Sequence, residues 1–515
     1  MLGFSKKKSD HPMADEKGAK ELLAELPSDD AFKTLQEVSH WLEAARGAEG
    51  LKPQRVFEVV DQLDAAGRLH ARKLSQEYLA AGNRLQRFQE QRIYSTVAEF
   101  WRQLGAGYEF CLAQSQPSVS GSGALKQLVP SIAVRALRAL TTEVKWGLMR
   151  YAPVDPTLWG RLGALYVQAE KGGFADKMCT LYPGIPGESS VQREYLTVLM
   201  LGMSATDSLL PRKLELAERI VSNFSQYFVL QKQLGKGCHY HVDLAVARPP
   251  ARLMARVGSV PTVRYFGPGT ACEVAEGVIG TITDTGAAPS ALNLGGNYEP
   301  SLVVDVMRHL ARYWAPVPPS RNQERRRSFA RINVVHDFDE ILAIIAGGPR
   351  DATDLSFDQH IETWTVENES DNGYGAVIPP SQADWLKVGT LLGIKLEDGN
   401  AWGVGIVRRL SNDPTQQQRY VGIQTLAKGG ARVKLFAVGG NKVESGEDAV
   451  LLPSSAADSS GTGELNLLMR MGTFSQRQSL KMRAYERDYL LVPKQLLEGG
   501  QDFDMAKFRV LQRNA

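Results

Sequence analysis

The chain has 515 residues, a length that predicts about three or four domains, each with its own core. Hydrophobic residues make up 43% and charged residues 23% of the chain, the proportions of an ordinary soluble globular protein. The formal net charge of +3 is close to balance, so no overall basic field argues for a nucleic-acid partner.

Cysteine usage and the amino terminus both bear on the cellular compartment. The four cysteines have no paired spacing, which favours unpaired thiols in a reducing compartment. The first residues place their lysines after a very short apolar stub, the wrong order for a secretory signal. No stretch reaches the roughly 18 apolar residues that a transmembrane segment needs. We therefore expect a cytoplasmic protein.

Apolar residues recur at three- and four-residue steps over about residues 16–114, which predicts helices, with Asp29 and Asp30 as N-cap candidates. Residues 115–123 are rich in Ser, Gly and Pro and therefore predict a loop. We place one helical domain at residues 1–115 and a second at residues 124–235. This helical amino-terminal half resembles no family by its motifs.

The second helical region carries the large and small residues of half a tetratricopeptide repeat at residues 159–169. One period later Arg193 replaces the tryptophan, so we predict a helical hairpin with repeat-like packing rather than an array. A helical half of this kind offers a surface for an unidentified protein partner. A plain helical bundle that serves only as a scaffold is the open alternative.

Near residue 236 the period changes to alternation, so residues 236–298 are predicted to form a small mixed β region. His239, His241 and Asp243 share one face of a predicted strand, as a set of metal ligands would. No second ligand cluster follows at a recognisable spacing, and a solvated strand face has the same pattern. We therefore expect no metal site. A linking helix is predicted at residues 299–316.

The linking helix leads into a cluster of five arginines within eleven residues. These are Arg321, Arg325, Arg326, Arg327 and Arg331. Guanidinium groups repel one another, so a folded chain keeps them on a solvated face or opposite a polyanion. Arginine can hold phosphate oxygens in two places and stack on a purine ring.

Some forty residues later comes a polar turn that contains Asn368, Ser370 and Gly373. The pattern Arg326-Arg327-x-x-x-Arg331 followed by Asn368-x-Ser370-x-x-Gly373 resembles the two-part signature of the PilZ domain family. Members of that family are small β-barrels that bind the bacterial second messenger cyclic di-GMP. The resemblance covers about residues 320–440.

Two strands downstream, at residues 403–408 and 420–424, also resemble later strands of that barrel. The stretch between the two halves of the signature, 36 residues from Ile332 to Glu367, is long for the family. We interpret it as a lengthened hairpin loop around residues 347–351. Short apolar runs in residues 441–515 predict a C-terminal β-domain or an extension of the barrel. The expected fold class is α+β multidomain, with an all-helical amino-terminal half, a PilZ-like β-barrel and an additional small β-domain.

The resemblance implies a role for each residue of the signature. Arg327 and Arg331 would bind the phosphates of the messenger and stack on guanine, with Arg326 beside them. Asn368, Ser370 and Gly373 would contact the other guanine or shape its cradle. The implied function is a cytoplasmic cyclic di-GMP receptor that changes the protein contacts of its helical half. The implied processes are those governed by this messenger, such as motility and biofilm growth. Besides this ligand no cofactor is expected.

Three other interpretations stay open at this point. A PilZ-like structural adaptor that has lost ligand binding would keep only the protein contacts. A solvated basic linker beside an ordinary turn would produce the same sequence pattern. A nucleic-acid-binding barrel would require basic residues interleaved with exposed aromatic ones, whereas the basic residues here cluster in one segment. The chain has no hydrolase, Walker or paired-zinc motif, so we do not expect an enzyme.

Overall fold

The computed structural model divides the protein into two compact units, Met1–Ser320 and Arg321–Ala515. It describes residue 9 and residues 11–81, 86–182, 185–253, 260–317, 319, 325–345, 361–379, 385–413, 415–438, 446–453, 463–484, 487–500 and 502–511. Over these ranges, no helix combines the length and the apolar character that crossing a membrane requires.

Helices make up most of the described part of the first unit. They are α1 (Glu16–Glu25), α2 (Ala31–Gly47), α3 (Pro53–Ala81), α4 (Arg87–Gln114), α5 (Val129–Met149), α6 (Pro156–Lys171), α7 (Val191–Gly202), α8 (Pro211–Phe224), α9 (Ala271–Thr285) and α10 (Pro300–Trp314). Local chemistry explains their starts. Asp30 caps α2 by accepting hydrogen bonds at 3.1 Å from the backbone N–H groups of Phe32 and Lys33. Proline opens α6, α8 and α10, where no backbone N–H is required.

Two small antiparallel sheets complete the described first unit. β1 (Cys179–Tyr182) and β2 (Ile185–Ser189) form a hairpin between α6 and α7. The other sheet has the order β3-β6-β4-β5. Its strands are β3 (Val229–Gln231), β4 (Tyr240–Asp243), β5 (Ala251–Arg252) and β6 (Val263–Gly267). The β1–β2 hairpin is absent from the sequence-based prediction, because glycine and proline interrupt the short runs that form it.

A single apolar core extends through the first unit from Met13 to Trp314. Trp314, the last residue of α10, is fully buried, and its ring packs edge-on against Phe228 with centroids 5.2 Å apart. Its indole N–H donates to Ser204 Oγ at 3.3 Å. The helix predicted to link the two halves is therefore anchored in the first unit.

Charged side chains also lie inside the first unit, opposite partners. Lys145 Nζ lies 2.8 Å from Glu215 and 3.1 Å from Glu218. Asp64 accepts a hydrogen bond from the Tyr108 hydroxyl at 2.5 Å and lies 2.8 Å from Arg68 Nε. Burial raises the pKa of Asp64 to about 6, although Arg68 opposes the shift.

The second unit begins with a six-stranded antiparallel barrel, called here the first barrel. Its strands are β8 (Arg331–Val335), β9 (Glu362–Ser370), β10 (Gly373–Ile378), β11 (Leu391–Leu396), β12 (Gly403–Asp413) and β13 (Gln418–Ala427). β9 pairs with β8 on one side and with β10 on the other, and the remaining pairs run β10-β13-β12-β11-β8, which closes the ring. A two-residue strand, β7 (Arg326–Arg327), pairs with the end of β9.

The stretch predicted as a lengthened hairpin loop contains a helix, α11 (Phe338–Ile345), so that prediction is wrong for these residues. Residues 346–360, including the glycines around 347–351, lie outside the described part. Ile341 is fully buried in a cluster with Leu391 of the first barrel and with Val450 and Phe503 further along the chain. The helix forms because it can bury an apolar face between two barrels, which the local sequence does not reveal.

The second barrel is closed in the order β14-β15-β16-β19-β18-β17. Its strands are β14 (Ala431–Ala437), β15 (Glu447–Leu452), β16 (Glu464–Arg470), β17 (Leu480–Ala484), β18 (Arg487–Gly499) and β19 (Phe503–Leu511). Arg408 of β12 joins it to the first barrel, with Nη2 donating to Glu498 Oε2 of β18 at 2.6 Å. The predicted fold class is confirmed, a helical amino-terminal half followed by a β-barrel and an additional small β-domain. The finer domain boundaries stay predictions.

Candidate functional site

Two distant parts of the sequence meet at one edge of the first barrel. In the pairing of β7 with β9, Arg326 lies directly opposite Glu369. In the same ladder, Arg327 lies directly opposite Asn368. Both arginine side chains are exposed. Backbone pairing therefore holds Arg326 and Arg327 beside the predicted polar turn.

Arg325 holds the side chain of Asn368 in place. Its Nη1 donates to Asn368 Oδ1 at 2.6 Å. A Cβ atom on Gly375 would lie only 2.5 Å from the same Oδ1, so the glycine leaves the space that Asn368 occupies. Arg325 was part of the arginine cluster in the sequence but not of the predicted site. Its position next to Arg326 could have suggested from the sequence that Arg325 belongs to the site. Its hydrogen bond to Asn368, in contrast, depends on the fold.

Arg331 opens β8 and lies directly opposite Thr365 of β9. Its guanidinium lies 4.0 Å from a carboxylate oxygen of Glu397, and the two side chains are 63% and 52% exposed. An exposed ion pair at this distance contributes little to stability, on the order of 0–1 kcal/mol. A stronger anionic ligand can therefore replace Glu397 as the partner of Arg331.

The segment between Arg327 and Arg331 is tied to β9 by its backbone. The N–H of Ser328 donates to the carbonyl of Glu367 at 3.0 Å, and Ser328 is buried. The next residue, Phe329, points into solvent with 91% of its surface exposed. The segment between the two arginines is therefore fixed to β9 at Ser328 and exposed to solvent at Phe329.

The turn from β9 to β10 places Ser370 directly opposite Gly373. Ser370 Oγ donates to the Gly373 carbonyl at 3.4 Å, a weak contact that holds the hydroxyl over the turn. A Cβ on Gly373 would lie 2.1 Å from the carbonyl oxygen of Ile423 on β13. Glycine is therefore required at this position, because backbone and not a flexible side chain occupies the space.

Tyr374 follows the turn and lies opposite Glu369. Burial raises the pKa of the Tyr374 phenol above its usual value, and the negative charge of Glu369 adds to the shift. The hydroxyl therefore keeps its proton at neutral pH. The fold brings all six predicted site residues to this one region, on β7, on the first residue of β8 and on the β9–β10 hairpin.

The His239, His241 and Asp243 pattern lies on and beside β4 in the first unit. His239 Nδ1 lies 2.9 Å from the backbone oxygen of Trp314, so this ring contacts the end of α10. Among the residues that the structure describes, no group of three or more His, Cys, Asp or Glu side chains is arranged to hold a metal ion.

Two family models match the chain. One, described as the N-terminal domain of the cyclic-di-GMP receptor FimW, matches residues 17–233. The other, described as the middle PilZ domain of the same receptor, matches residues 347–431. No curated protein matches the chain.

The second match includes Asn368, Ser370 and Gly373 and begins after Arg331. The first match corrects the sequence analysis, in which the helical half resembled no family, because motif spacing alone does not identify an all-helical domain. Both descriptions name a receptor, and neither names an enzyme.

Proposed function

The chain contains a PilZ domain, as its two-part motif predicted, and from this premise we propose that it is a receptor for cyclic di-GMP. The dinucleotide binds at the edge of the first barrel, against Arg326, Arg327, Arg331, Asn368, Ser370 and Gly373. Binding then changes the protein contacts of the helical unit. The proposal is supported by the family matches and by the geometry of these six residues.

One observation carries the binding proposal. The pairing of β7 with β9 brings Arg327 directly opposite Asn368, although the two residues are 41 positions apart in the sequence. Opposed residues in an antiparallel pair have Cβ atoms about 5 Å apart. A ligand that carries phosphate next to a purine can therefore contact a guanidinium and an amide at once.

The chemistry of the residues suits the two parts of this ligand. The exposed guanidiniums of Arg326, Arg327 and Arg331 offer charge-assisted donors to phosphate oxygens. Their flat faces can stack on guanine. Asn368 and Ser370 supply short donors and acceptors for the edge of a base. Gly373 allows the backbone of the turn to approach closely.

Calorimetric titration of the full chain tests the proposal, with cyclic di-GMP beside GTP and cyclic di-AMP. We expect selective binding of cyclic di-GMP that Arg327→Ala and Ser370→Ala both weaken. The loss for Arg327→Ala is expected to be about ten-fold or more, because a charge-assisted contact to phosphate is removed. Arg432→Ala is the matched control, since Arg432 pairs with Asp448 on the second barrel at 2.6 Å.

Absence of heat, together with an unchanged melting temperature at high ligand concentration, would overturn the receptor proposal. The structural adaptor would then be the better description. Equal weakening by Arg327→Ala and Arg432→Ala would point to a general effect of charge and would argue against the assigned site.

The signalling part of the proposal is supported by the helical unit itself. That unit has its own continuous core and matches the N-terminal domain model of the same receptor. Hydrogen exchange of the full chain with and without cyclic di-GMP tests it. We expect altered protection in α10 and in the helices before it, with no alteration in the Arg327→Ala protein. Unchanged exchange throughout the first unit, despite binding, would remove the signalling part and leave the binding part.

A further inference from the structure

Four residues on neighbouring strands of the first barrel form a straight row. Asn368 of β9 lies opposite Gly375 of β10, and Gly375 lies opposite Gly422 of β13. Gly422 in turn lies opposite Arg409 of β12. Directly opposed residues of antiparallel strands present their side chains on the same face. Gly375 and Gly422 are called here the glycine strip. Asn368 covers Gly375, since a Cβ there would lie 2.5 Å from Asn368 Oδ1, whereas Gly422 is half-buried and leaves backbone accessible beside Arg409.

The glycine strip lies on the outer face of the barrel. Ala376 and Val421, the neighbours of the two glycines along their strands, are 1% and 2% exposed and belong to the interior. Successive residues of a strand point to opposite faces, so the glycines face outward. Arg409, in the same row, is exposed.

A β-bulge lies on each side of the strip. On β9, Glu367 is the extra residue between the pairs made by Val366 and Asn368. On β12, Arg408 is the extra residue between the pairs made by Val407 and Arg409. Bulges turn side chains away from their regular directions and are common beside binding sites. Here they set the directions of the two side chains that border the strip.

Two glycines side by side in a sheet weaken it, because neither supplies a side chain for cross-strand packing. Such a pair marks a place where a ligand or another backbone approaches closely. β9 and β12 are three strand spacings apart, roughly 14 Å. Between them, the accessible backbone at Gly422 offers a flat surface for a planar ring.

We propose that one base of the bound cyclic dinucleotide lies flat on the backbone at Gly422, between Asn368 and Arg409, and that Arg409 donates to the phosphate oxygens of the dinucleotide. This inference rests on the proposed function and extends the site from β7, β8, β9 and β10 onto β13 and β12. The ligand would then be held between arginines on two sides, Arg327 beyond Asn368 and Arg409 beyond Gly422.

Titration of the full chain with cyclic di-GMP tests the inference in two ways. Arg409→Ala is expected to weaken affinity about ten-fold or more, and Arg409→Lys less, because lysine keeps the charge but loses the planar fork. Gly422→Val is expected to weaken affinity at least as much while the melting temperature stays equal or rises, since valine favours strands. Arg432→Ala on the second barrel is the charge control. Ala437→Val is the control for added bulk, because Ala437 lies exposed at the end of β14 on the second barrel.

The outcomes separate this inference from the proposed function. A wild-type chain that binds cyclic di-GMP, with Arg409→Ala and Gly422→Val unchanged in affinity, would overturn the inference and leave the receptor proposal intact. A wild-type chain that does not bind would overturn both. If Gly422→Val lowers the melting temperature, its loss of affinity is not used. The affinities of Arg409→Ala and Arg432→Ala for cyclic di-GMP are then compared, and equal affinities would overturn the inference.

Discussion

Lys145 in the helical unit keeps only 10% of its side chain exposed and lies 2.8 Å from Glu215, whereas Arg331 on the first barrel is 63% exposed and lies 4.0 Å from Glu397. The buried pair depends on the protein for most of its compensation, because little of either side chain is exposed to water. The exposed arginine is solvated and can exchange its partner at little cost. The buried charge of Lys145 in the helical unit therefore supports the fold, whereas the exposed charge of Arg331 at the barrel edge is available to a ligand.

The largest expected effect concerns the buried cation. Lys145→Ala leaves Glu215 and Glu218 close together without it, and we expect the free energy of unfolding of the helical unit to fall by about 3–5 kcal/mol. Denaturant unfolding followed by circular dichroism measures this. The control is Lys17→Ala, which removes an exposed pair with Glu21 and should cost less than about 0.5 kcal/mol. An equal loss of unfolding free energy in the two variants would contradict the view that the buried charge supports the fold more than the exposed charge does.

The next effect is a pH dependence that arises from Asp64. Burial raises the pKa of Asp64 to about 6, so the folded chain binds this proton more tightly than the unfolded chain does. The helical unit should therefore lose stability as the pH rises from about 4 to about 6, by up to about 3 kcal/mol. Melting temperatures across this range, compared with those of Asp64→Asn, measure the contribution. Parallel pH profiles for both proteins would contradict the prediction.

Removing exposed arginines should affect binding and leave stability nearly unchanged. The double change Arg326→Ala and Arg327→Ala is expected to alter the free energy of unfolding by less than about 0.5 kcal/mol, because both side chains are solvated. Affinity for cyclic di-GMP should fall about ten-fold or more. A large loss of stability would show that these arginines serve the barrel itself, and the comparison with Lys145 would then fail.

The smallest effect should come from the competing carboxylate. Glu397→Gln removes the partner of Arg331, and we expect affinity for cyclic di-GMP to rise about two-fold, more clearly at low salt. Titrations at two salt concentrations measure it. Asp398→Asn, an equal change of charge at the neighbouring exposed position, is the control. A gain of the same size in both variants would mean that Glu397 has no specific hold on Arg331.

Much of the fold follows from local sequence. The helical periodicity of the first half, the N-cap at Asp30 and the strands at residues 403–408 and 420–424 are encoded within a few residues of where they form. The β1–β2 hairpin and α11 were missed because their short segments carry a weak local signal. Ile341 forms part of a helix that is stabilised by residues from two barrels, and those contacts are distant in the sequence.

The sequence alone identified the candidate residues of the site, since the arginine cluster and the Asn-x-Ser-x-x-Gly turn are recognisable as sequence motifs. Only the tertiary structure decided that Arg327 lies opposite Asn368, that Arg325 holds Asn368, and that Gly375 and Gly422 stand side by side. The physical reason is register. A strand pairs with residues far along the chain, and bulges shift that pairing by one position, so neighbours across a sheet are set by long-range packing and not by local spacing.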